Sequence, residues 1–152
     1  MKDIFDLLAR VLLSIIFLFD AYDSIFYFDK TKAKMTEYGL TWNQDFLLYT
    51  GIFVLLLGGI LLLLGYRTRL GVSLLLIYLI PVTFIVHAFW KVPFECMAEV
   101  ECFQIEQIYR RVQSILFMKN LAIVGGLLMV WINGSGRWSV KRLFATTKVR
   151  NL

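Results

Sequence analysis

Charged residues, prolines, cysteines and histidines are scarce in this sequence. Only 18% of the 152 residues are charged, and the chain has two prolines, two cysteines and one histidine. So little charge excludes a disordered chain and a nucleic-acid-binding protein, because both are rich in charged side chains. Two prolines and ten glycines exclude a collagen-like chain or a proline-rich linker. The G-x-S-x-G, Walker and H-E-x-x-H motifs of soluble enzymes do not occur in the sequence either.

Apolar residues, by contrast, make up 59% of the chain and gather in long runs. A helix needs about 20 apolar residues to cross the hydrocarbon core of a bilayer. Four runs therefore predict membrane-spanning helices, called spans 1 to 4: residues 4–28, 46–66, 70–90 and 112–132. The predicted fold is all-α, an integral membrane four-helix bundle that forms a single domain over residues 1–152.

Span 1 is the least regular of the four because it carries Asp6, Arg10, Asp20 and Asp23. These residues do not form the broad polar stripe of a helix that lies on a membrane surface. A cleaved signal peptide is the other alternative, but two acids stand where small residues should precede the cleavage site. We therefore interpret residues 4–28 as a spanning helix.

The turn between spans 2 and 3 sets the predicted orientation. Its three residues, Arg67–Arg69, include two arginines and are too few to join anything except antiparallel neighbours. Basic residues favour the cytoplasmic side of a membrane. We predict that both termini and the tail 133–152 are cytoplasmic, and that residues 29–45 and 91–111 form the outer loops.

Five polar side chains interrupt the spans at one predicted depth, near the outer ends: Asp20, Asp23, His87, Lys119 and Asn120. Ionisable groups inside a membrane are costly and therefore indicate function by default. The predicted site is a pocket that solvent or a quinone can reach, in which His87 moves a proton, Lys119 holds an anion or pairs with Asp20, and Asn120 donates a hydrogen bond. The structural alternatives are an Asp20–Lys119 pair that only pins two helices together, a Lys119 side chain that extends to the interface, and a structural hydrogen bond for His87.

Arg10 lies about 15 Å from Asp20 along span 1, at 1.5 Å per helical residue, and therefore near the cytoplasmic face. It is interpreted as an anchor at that face, with a lipid phosphate or backbone carbonyls at a helix end as alternative partners. The glycine pairs Gly58–Gly59 and Gly125–Gly126 predict close approach of neighbouring helices.

The two cysteines, Cys96 and Cys102, lie in the same predicted outer loop. A disulfide is favoured because the outer compartment permits one. A redox-active pair is the alternative, although the Cys-x-x-Cys spacing is missing and Glu95, Glu99 and Glu101 disfavour the thiolate. No metal site is predicted, because two cysteines and one histidine leave a tetrahedral ligand set incomplete.

Several short motifs resemble those of one family. In chain order they are Arg10, Met35 with Gly39, the Gly58–Gly59 pair, Leu-Gly-Tyr-Arg-Thr-Arg at 64–69, a histidine near the end of span 3, residues 117–128 and Gly-Ser-Gly-Arg-Trp-Ser at 134–139. The chain resembles the DoxX family of small four-helix membrane proteins over nearly its whole length. The most specific part of the resemblance is Lys119-Asn120 followed by Gly125–Gly126.

The resemblance implies a multi-pass protein of the bacterial inner membrane with a redox association. The name-giving members are subunits of a thiosulfate:quinone oxidoreductase, and others are partners of periplasmic redox proteins. We therefore expect a component of a redox or quinone-linked system. Distant eukaryotic relatives act as chaperones or cargo receptors, so a non-enzymatic assembly factor for a membrane or exported partner is the alternative.

Expected cofactors and partners follow from the same resemblance. Quinone is the expected ligand, and a redox role would use a partner's cofactor because the sequence has no haem or flavin motif. The expected partners are the lipid bilayer, a periplasmic or membrane redox protein and, as a further option, a second copy of the chain. Whether the chain is itself an enzyme stays open at this point.

Two positions depart from the family pattern. Members often carry a glycine and a lysine late in span 1, where this chain reads Asp-Ala-Tyr-Asp-Ser at residues 20–24. Members also often carry an acid shortly before the first glycine pair, where this chain has Leu55. Our hypothesis is that the acids of span 1 replace the acid of span 2 and face Lys119.

Overall fold

A computed structural model describes residues 2–90, 100–136 and 138–140, with side chains described for 3–90, 104–136 and 138–140. Every regular element in this part of the chain is an α-helix: α1 (Lys2–Phe26), α2 (Phe28–Glu37), α3 (Gln44–Leu64), α4 (Thr68–Val86) and α5 (Val100–Asn133). The predicted all-α fold class is thereby confirmed.

Among the described residues, three helices are long and apolar enough to cross a membrane. They are α3, α4 and the part Gln104–Asn133 of α5. Many of their large apolar side chains are exposed, such as Ile77 and Ile132 at 70% and 65%. A soluble monomer rarely exposes so much contiguous apolar surface, so these faces are suited to lipid. A fourth span formed by α1, and the orientation of the termini, stay predictions.

The helices α3 and α4 form an antiparallel pair, as the short turn predicts. Gly65 ends α3 in a left-handed conformation at φ 67°, which glycine adopts without strain. A Cβ atom on Gly58 would lie 2.7 Å from the side chain of Leu75, and one on Gly71 would lie 2.9 Å from Leu61. Close packing of the two helices therefore depends on these glycines.

The four long helices follow one another around the core: α1 packs along α3, α3 along α4, and α4 along α5. Contacts between α1 and α5 are sparse by comparison. The core residues come from all four helices: Phe17, Ala21, Leu55, Leu62, Val72, Leu75, Leu79, Ile123, Leu127 and Val130. The α1–α5 side, which we call the seam, is therefore the loosest part of the fold.

The second glycine pair lies at this seam and does not behave as predicted. A Cβ atom on Gly125 would meet nothing within 4 Å, and one on Gly126 would make an ordinary 3.5 Å contact with Leu13. Close helix packing was expected at both pairs, but only Gly58–Gly59 shows it, with Leu18 3.0 Å from a Cβ on Gly59. The prediction was wrong at Gly125–Gly126 because α1 does not approach α5 closely there.

Within the predicted outer loop 29–45, the segment Phe28–Glu37 forms the helix α2; the side of the membrane on which it lies stays a prediction. This segment is too short and too polar to be a membrane span, so an apolar run does not reveal it. It nevertheless lacks glycine and proline and contains good helix formers such as lysine, alanine and methionine. Gly39, at φ 78°, follows the end of this helix.

Helix α5 begins at Val100, within the predicted outer loop 91–111, and therefore extends beyond the predicted span 112–132. Residues 100–111 precede the span predicted at 112–132, and they are too polar for a hydropathy pattern to indicate that the helix begins there. Arg110 and Glu106 pair across one helical turn at 2.9 Å, which supports helix in this segment. The helices α1, α3 and α4 begin and end within four residues of the runs 4–28, 46–66 and 70–90, because those apolar runs coincide with helices.

Candidate functional site

The polar residues predicted from the sequence meet at one end of the fold, where α1 and α4 end. We call it the His87 end. Asp20 of α1 lies within electrostatic range of Lys119 on α5, of Asp23 one turn along α1 and of His87 after α4. Tyr78 of α4 is also in electrostatic range of Asp20. Three helices therefore contribute charge or polarity to one cluster.

Asp20, Asp23 and Lys119 are exposed on the surface of the packed helices, whereas His87 is half-buried behind them. Among the described side chains, Asp20 and Lys119 do not form an ion pair within 4.0 Å. The two charges therefore attract each other without forming a direct ion pair. The carboxylate and the ammonium are therefore both available to a ligand that arrives from the surrounding lipid.

A chain of hydrogen bonds holds His87 from its other side. Its Nδ1 atom lies 2.8 Å from Oε1 of Gln113, a buried residue of α5. Because Oε1 only accepts, Nδ1 carries the hydrogen and donates it, which leaves Nε2 as the ring atom that takes up a proton. The amide of Gln113 in turn donates to the hydroxyl of Tyr38 at 3.3 Å. Gln113 thus fixes both the tautomer and the orientation of His87.

Two tyrosines complete this chain near the surface. The hydroxyls of Tyr38 and Tyr109 lie 3.1 Å apart. Burial, and then the hydrogen bond with Tyr109, raises the pKa of Tyr38 above its ordinary value. The Tyr38 hydroxyl therefore remains protonated at neutral pH. Through Tyr38, the segment that follows α2 is attached to α5 and to the histidine.

Asn120 has a structural partner in the protein core. Its Nδ2 atom donates to Oγ1 of Thr83 at 3.1 Å, and Thr83 donates to the carbonyl of Leu79 at 2.7 Å. Asn120 and Thr83 are both buried. The predicted role of Asn120 as a donor to a ligand therefore competes with its bond between α4 and α5.

An aromatic cluster lies beside His87 on the α4–α5 side. The ring of Phe117 meets Phe84, Phe89 and Trp90 edge to face at centroid distances of 5.5, 5.7 and 5.9 Å. Edge-to-face pairs of this kind add stability beyond the area that they bury. The cluster therefore holds α4 and the segment after it against α5 next to His87.

Sequence reasoning missed Gln113, Tyr38, Tyr109 and Thr83. Tyr38 was assigned to a loop. Gln113 lay at the second position of a predicted span, where a polar amide is common and does not indicate a functional role. An uncharged polar residue gives a weak signal in a hydropathy pattern. Only the pairing across α4 and α5 shows that Gln113 is buried and bonded.

Arg10 lies far from this cluster and is only 1% exposed. Its Nη2 atom donates to the backbone carbonyl of Trp138, and its Nε atom makes a long bond of 3.4 Å to the carbonyl of Asp6. Its Nη1 atom lies against Gly65, where any Cβ atom would overlap it. Backbone carbonyls are thus its partners, although that of Trp138 lies beyond the end of α5. The interpretation of Arg10 as an anchor at the cytoplasmic face stays a prediction.

The cysteine prediction is not tested, because Cys96 and the side chain of Cys102 lie outside the described residues. Over the side chains that are described, no group of three or more histidine, cysteine, aspartate or glutamate residues is placed to hold a metal ion.

The part of the chain that the structure describes is all-helical, with three apolar helices of spanning length and a polar cluster at one end. This architecture is that of a small multi-pass membrane protein. The DoxX family model matches residues 5–88, more than half of the chain, and the chain therefore belongs to the DoxX family. The matched range includes Arg10, Asp20 and His87 and ends before Lys119.

A relative supports the same assignment over nearly the full length. The chain is 27% identical over 143 residues to "Inner membrane protein YqjF" of Escherichia coli (strain K12), with 94% of each chain covered. No solved structure matches the chain. The predicted family and the multi-pass inner-membrane location are confirmed.

Proposed function

We propose that this protein is a quinone-binding component of a membrane redox system, with its site at the His87 end. The observation that carries the proposal is the mutual placement of Asp20, His87 and Lys119. An acid and a base of opposite charge lie exposed within electrostatic range of each other, with an oriented histidine behind them. Ionisable groups in a membrane helix usually mark such pathways.

The chemistry of a quinone suits these three side chains. Reduction of a quinone to the quinol takes up two electrons and two protons. The Lys119 ammonium donates a hydrogen bond and then one proton to a quinone carbonyl. His87 takes up a proton from water at its free Nε2, because Nδ1 is held by Gln113, and delivers it as the second proton. The two electrons come from a flavin or haem of the partner protein, since the sequence has no motif for either.

We also propose that α1 is the fourth span and that both termini are cytoplasmic. The turn between α3 and α4 supports this orientation through its two arginines. The guanidinium of Arg69 lies 5.8 Å from the ring centre of Trp131, and tryptophan is typical of membrane interfaces. This orientation places the His87 end in the outer leaflet.

The test is equilibrium binding of a short-chain ubiquinone analogue to the full-length protein in lipid nanodiscs, followed by quenching of tryptophan fluorescence. Lys119→Met should weaken binding about tenfold or more, because a hydrogen bond from a charged donor contributes about 1.5–3 kcal/mol. Lys34→Met, at an exposed lysine of α2, is the matched control and should bind normally.

Equal binding by Lys119→Met and wild type would overturn the assignment of the site. If the clean wild-type protein does not bind the analogue and instead retains a protein partner through purification, the non-enzymatic alternative, an assembly factor for that partner, replaces the redox proposal.

A further inference from the structure

A cleft of about 470 Å³ lies between α1 and α5 along the seam. Volumes of this size are typical of small-molecule sites. Both helices line the cleft, mostly with apolar side chains such as Leu12 and Leu13 of α1 and Met129 and Val130 of α5. Met129 is 60% exposed, so the cleft is open to the surroundings of the protein. In a membrane these surroundings are the lipid and the hydrophobic molecules dissolved in it.

The cleft does not offer a positive charge to a ligand. Asp6 and Arg10 are the charged residues among those that line it. Arg10 is 1% exposed, and its guanidinium donates to the backbone carbonyls of Trp138 and Asp6. The carboxylate of Asp6 does not attract a phosphate, which every phospholipid headgroup carries. An uncharged chain therefore suits this cleft better than a phospholipid does.

The faces of α1 and α5 that line the cleft also carry the polar residues of the His87 end. Leu13 lies seven residues before Asp20, and Gly126 lies seven residues after Lys119. Residues seven apart lie on the same face of a helix, separated by about 10 Å along its axis. Asp20 is in electrostatic range of Lys119, and Leu13 lies 3.5 Å from a Cβ atom built on Gly126. The cleft and the Asp20–Lys119 pair therefore follow one another along the seam.

Gly126 leaves room for a ligand where the two helices meet. A Cβ atom at this position would make only an ordinary contact with Leu13, so the packing of α1 on α5 does not require a glycine. A longer side chain would extend into the cleft, because Gly126 lines it. The neighbouring Gly125 is exposed and lies outside the lining of the cleft.

We propose that this cleft holds the isoprenoid tail of the quinone whose ring binds at the His87 end. This inference rests on the proposed function and adds the substrate class, a long-tailed membrane quinone. The tail is uncharged and apolar, as the cleft requires. The path from Lys119 past Gly126 to Asn133 is about 21 Å long, which roughly four isoprene units cover.

The test is photolabelling of the full-length protein in lipid nanodiscs. The probe is a quinone with a tail of four isoprene units and a diazirine at the end of the tail. The label should concentrate on Leu12, Leu13, Met129 and Val130, and excess unlabelled long-tailed quinone should suppress it. A tail that is free in the lipid would label exposed apolar side chains on every helix, such as Ile77 of α4. Equal labelling of Ile77 and the cleft would overturn the inference.

Filling the cleft gives a second, independent readout. Quenching of tryptophan fluorescence compares the binding of the four-unit quinone with that of a quinone without a tail. Gly126→Leu should weaken binding of the four-unit quinone about threefold or more, a modest effect because a tail in lipid loses only packing contacts. Binding of the tailless quinone should be unchanged, which also shows that the variant is folded. Gly125→Leu is the matched control and should bind both quinones as wild type does.

The outcomes separate this inference from the proposed function. If the four-unit quinone binds wild type and Gly126→Leu equally well, the tail lies elsewhere and only this inference fails. If a phospholipid with a diazirine on its acyl chain labels the cleft and excess quinone does not displace it, the cleft is a lipid site and the inference is overturned. If wild type binds neither quinone, the proposed function itself fails.

Discussion

Nδ1 of His87 lies 2.8 Å from Oε1 of Gln113, and this bond links the end of α4 to the first part of α5. The amide group of Gln113 continues the link to Tyr38. A side chain on α5 thereby decides which nitrogen of the histidine is free. The histidine is held by the fold and does not depend on a ligand for its orientation.

The first prediction concerns Gln113. Gln113→Leu leaves His87 and Tyr38 without their shared partner and should lower the free energy of unfolding by about 1–3 kcal/mol. Thermal unfolding in a mild detergent measures this loss. Gln107→Leu, at an exposed position of the same helix, is the control and should change stability little. Equal stability of Gln113→Leu and the control would show that the hydrogen-bond chain contributes nothing.

The second prediction concerns the attraction between Asp20 and Lys119. Asp20→Lys and Lys119→Asp should each destabilise the protein through like-charge repulsion, and the double swap should restore part of the loss. A coupling energy of about 0.5–3 kcal/mol is expected for residues in one network. If the double swap is no more stable than either single variant, the two side chains do not interact.

The third prediction uses the different surroundings of two glycines. Gly65→Ala should destabilise the protein by about 1–3 kcal/mol, because Gly65 has a φ of 67° and its Cβ atom would overlap Arg10. The Cβ atom that Gly125→Ala adds would meet nothing within 4 Å. Because alanine favours a helix over glycine, this substitution should raise the free energy of unfolding by up to about 1 kcal/mol. Thermal unfolding of both variants checks the pair. A loss of stability in Gly125→Ala would mean that α1 approaches α5 more closely than described.

The fourth prediction concerns Tyr38 and high pH. Burial and the hydrogen bond with Tyr109 raise the pKa of Tyr38, so the folded state favours the protonated hydroxyl. The resulting stability is fully present below the pKa of the unfolded tyrosine, about 10, and is lost as the pH rises above it. Unfolding measured from pH 8 to 11 should show a smaller loss in Tyr38→Phe than in wild type.

The exposed Tyr49→Phe is the control for this measurement and should follow the wild-type pH profile. If Tyr38→Phe also follows the wild-type profile, the pKa of the Tyr38 hydroxyl is the same in the folded and the unfolded protein.

The sequence predicted most of the fold because long apolar runs determine where helices cross a membrane. The positions of α3 and α4 follow from such runs alone. The amphipathic α2 and the start of α5 at Val100 escaped, since a short polar helix has no long apolar run and depends on what it packs against. Gly125 was misread because a glycine pair indicates room for a neighbour without showing whether the neighbour is present.

The candidate site could be predicted only in its charged part. Asp20, His87 and Lys119 stand out because ionisable residues are rare in spans. Gln113 is an ordinary polar residue at a span end and Tyr38 lies in a predicted loop, and the hydrogen bond between them joins residues 75 positions apart in the chain. Such long-range pairing is a property of the packed helices and leaves no local pattern in the sequence.

The central claim is that a quinone headgroup lies among Asp20, His87 and Lys119. Photolabelling of the full-length protein in nanodiscs with a quinone that carries an azide on its ring tests this claim most directly. Mass spectrometry of the peptides should place the label on α1 and α5 near Asp20 and Lys119, and excess unlabelled quinone should suppress it. Labelling at the opposite end of the helices, or labelling that unlabelled quinone does not reduce, would contradict the claim.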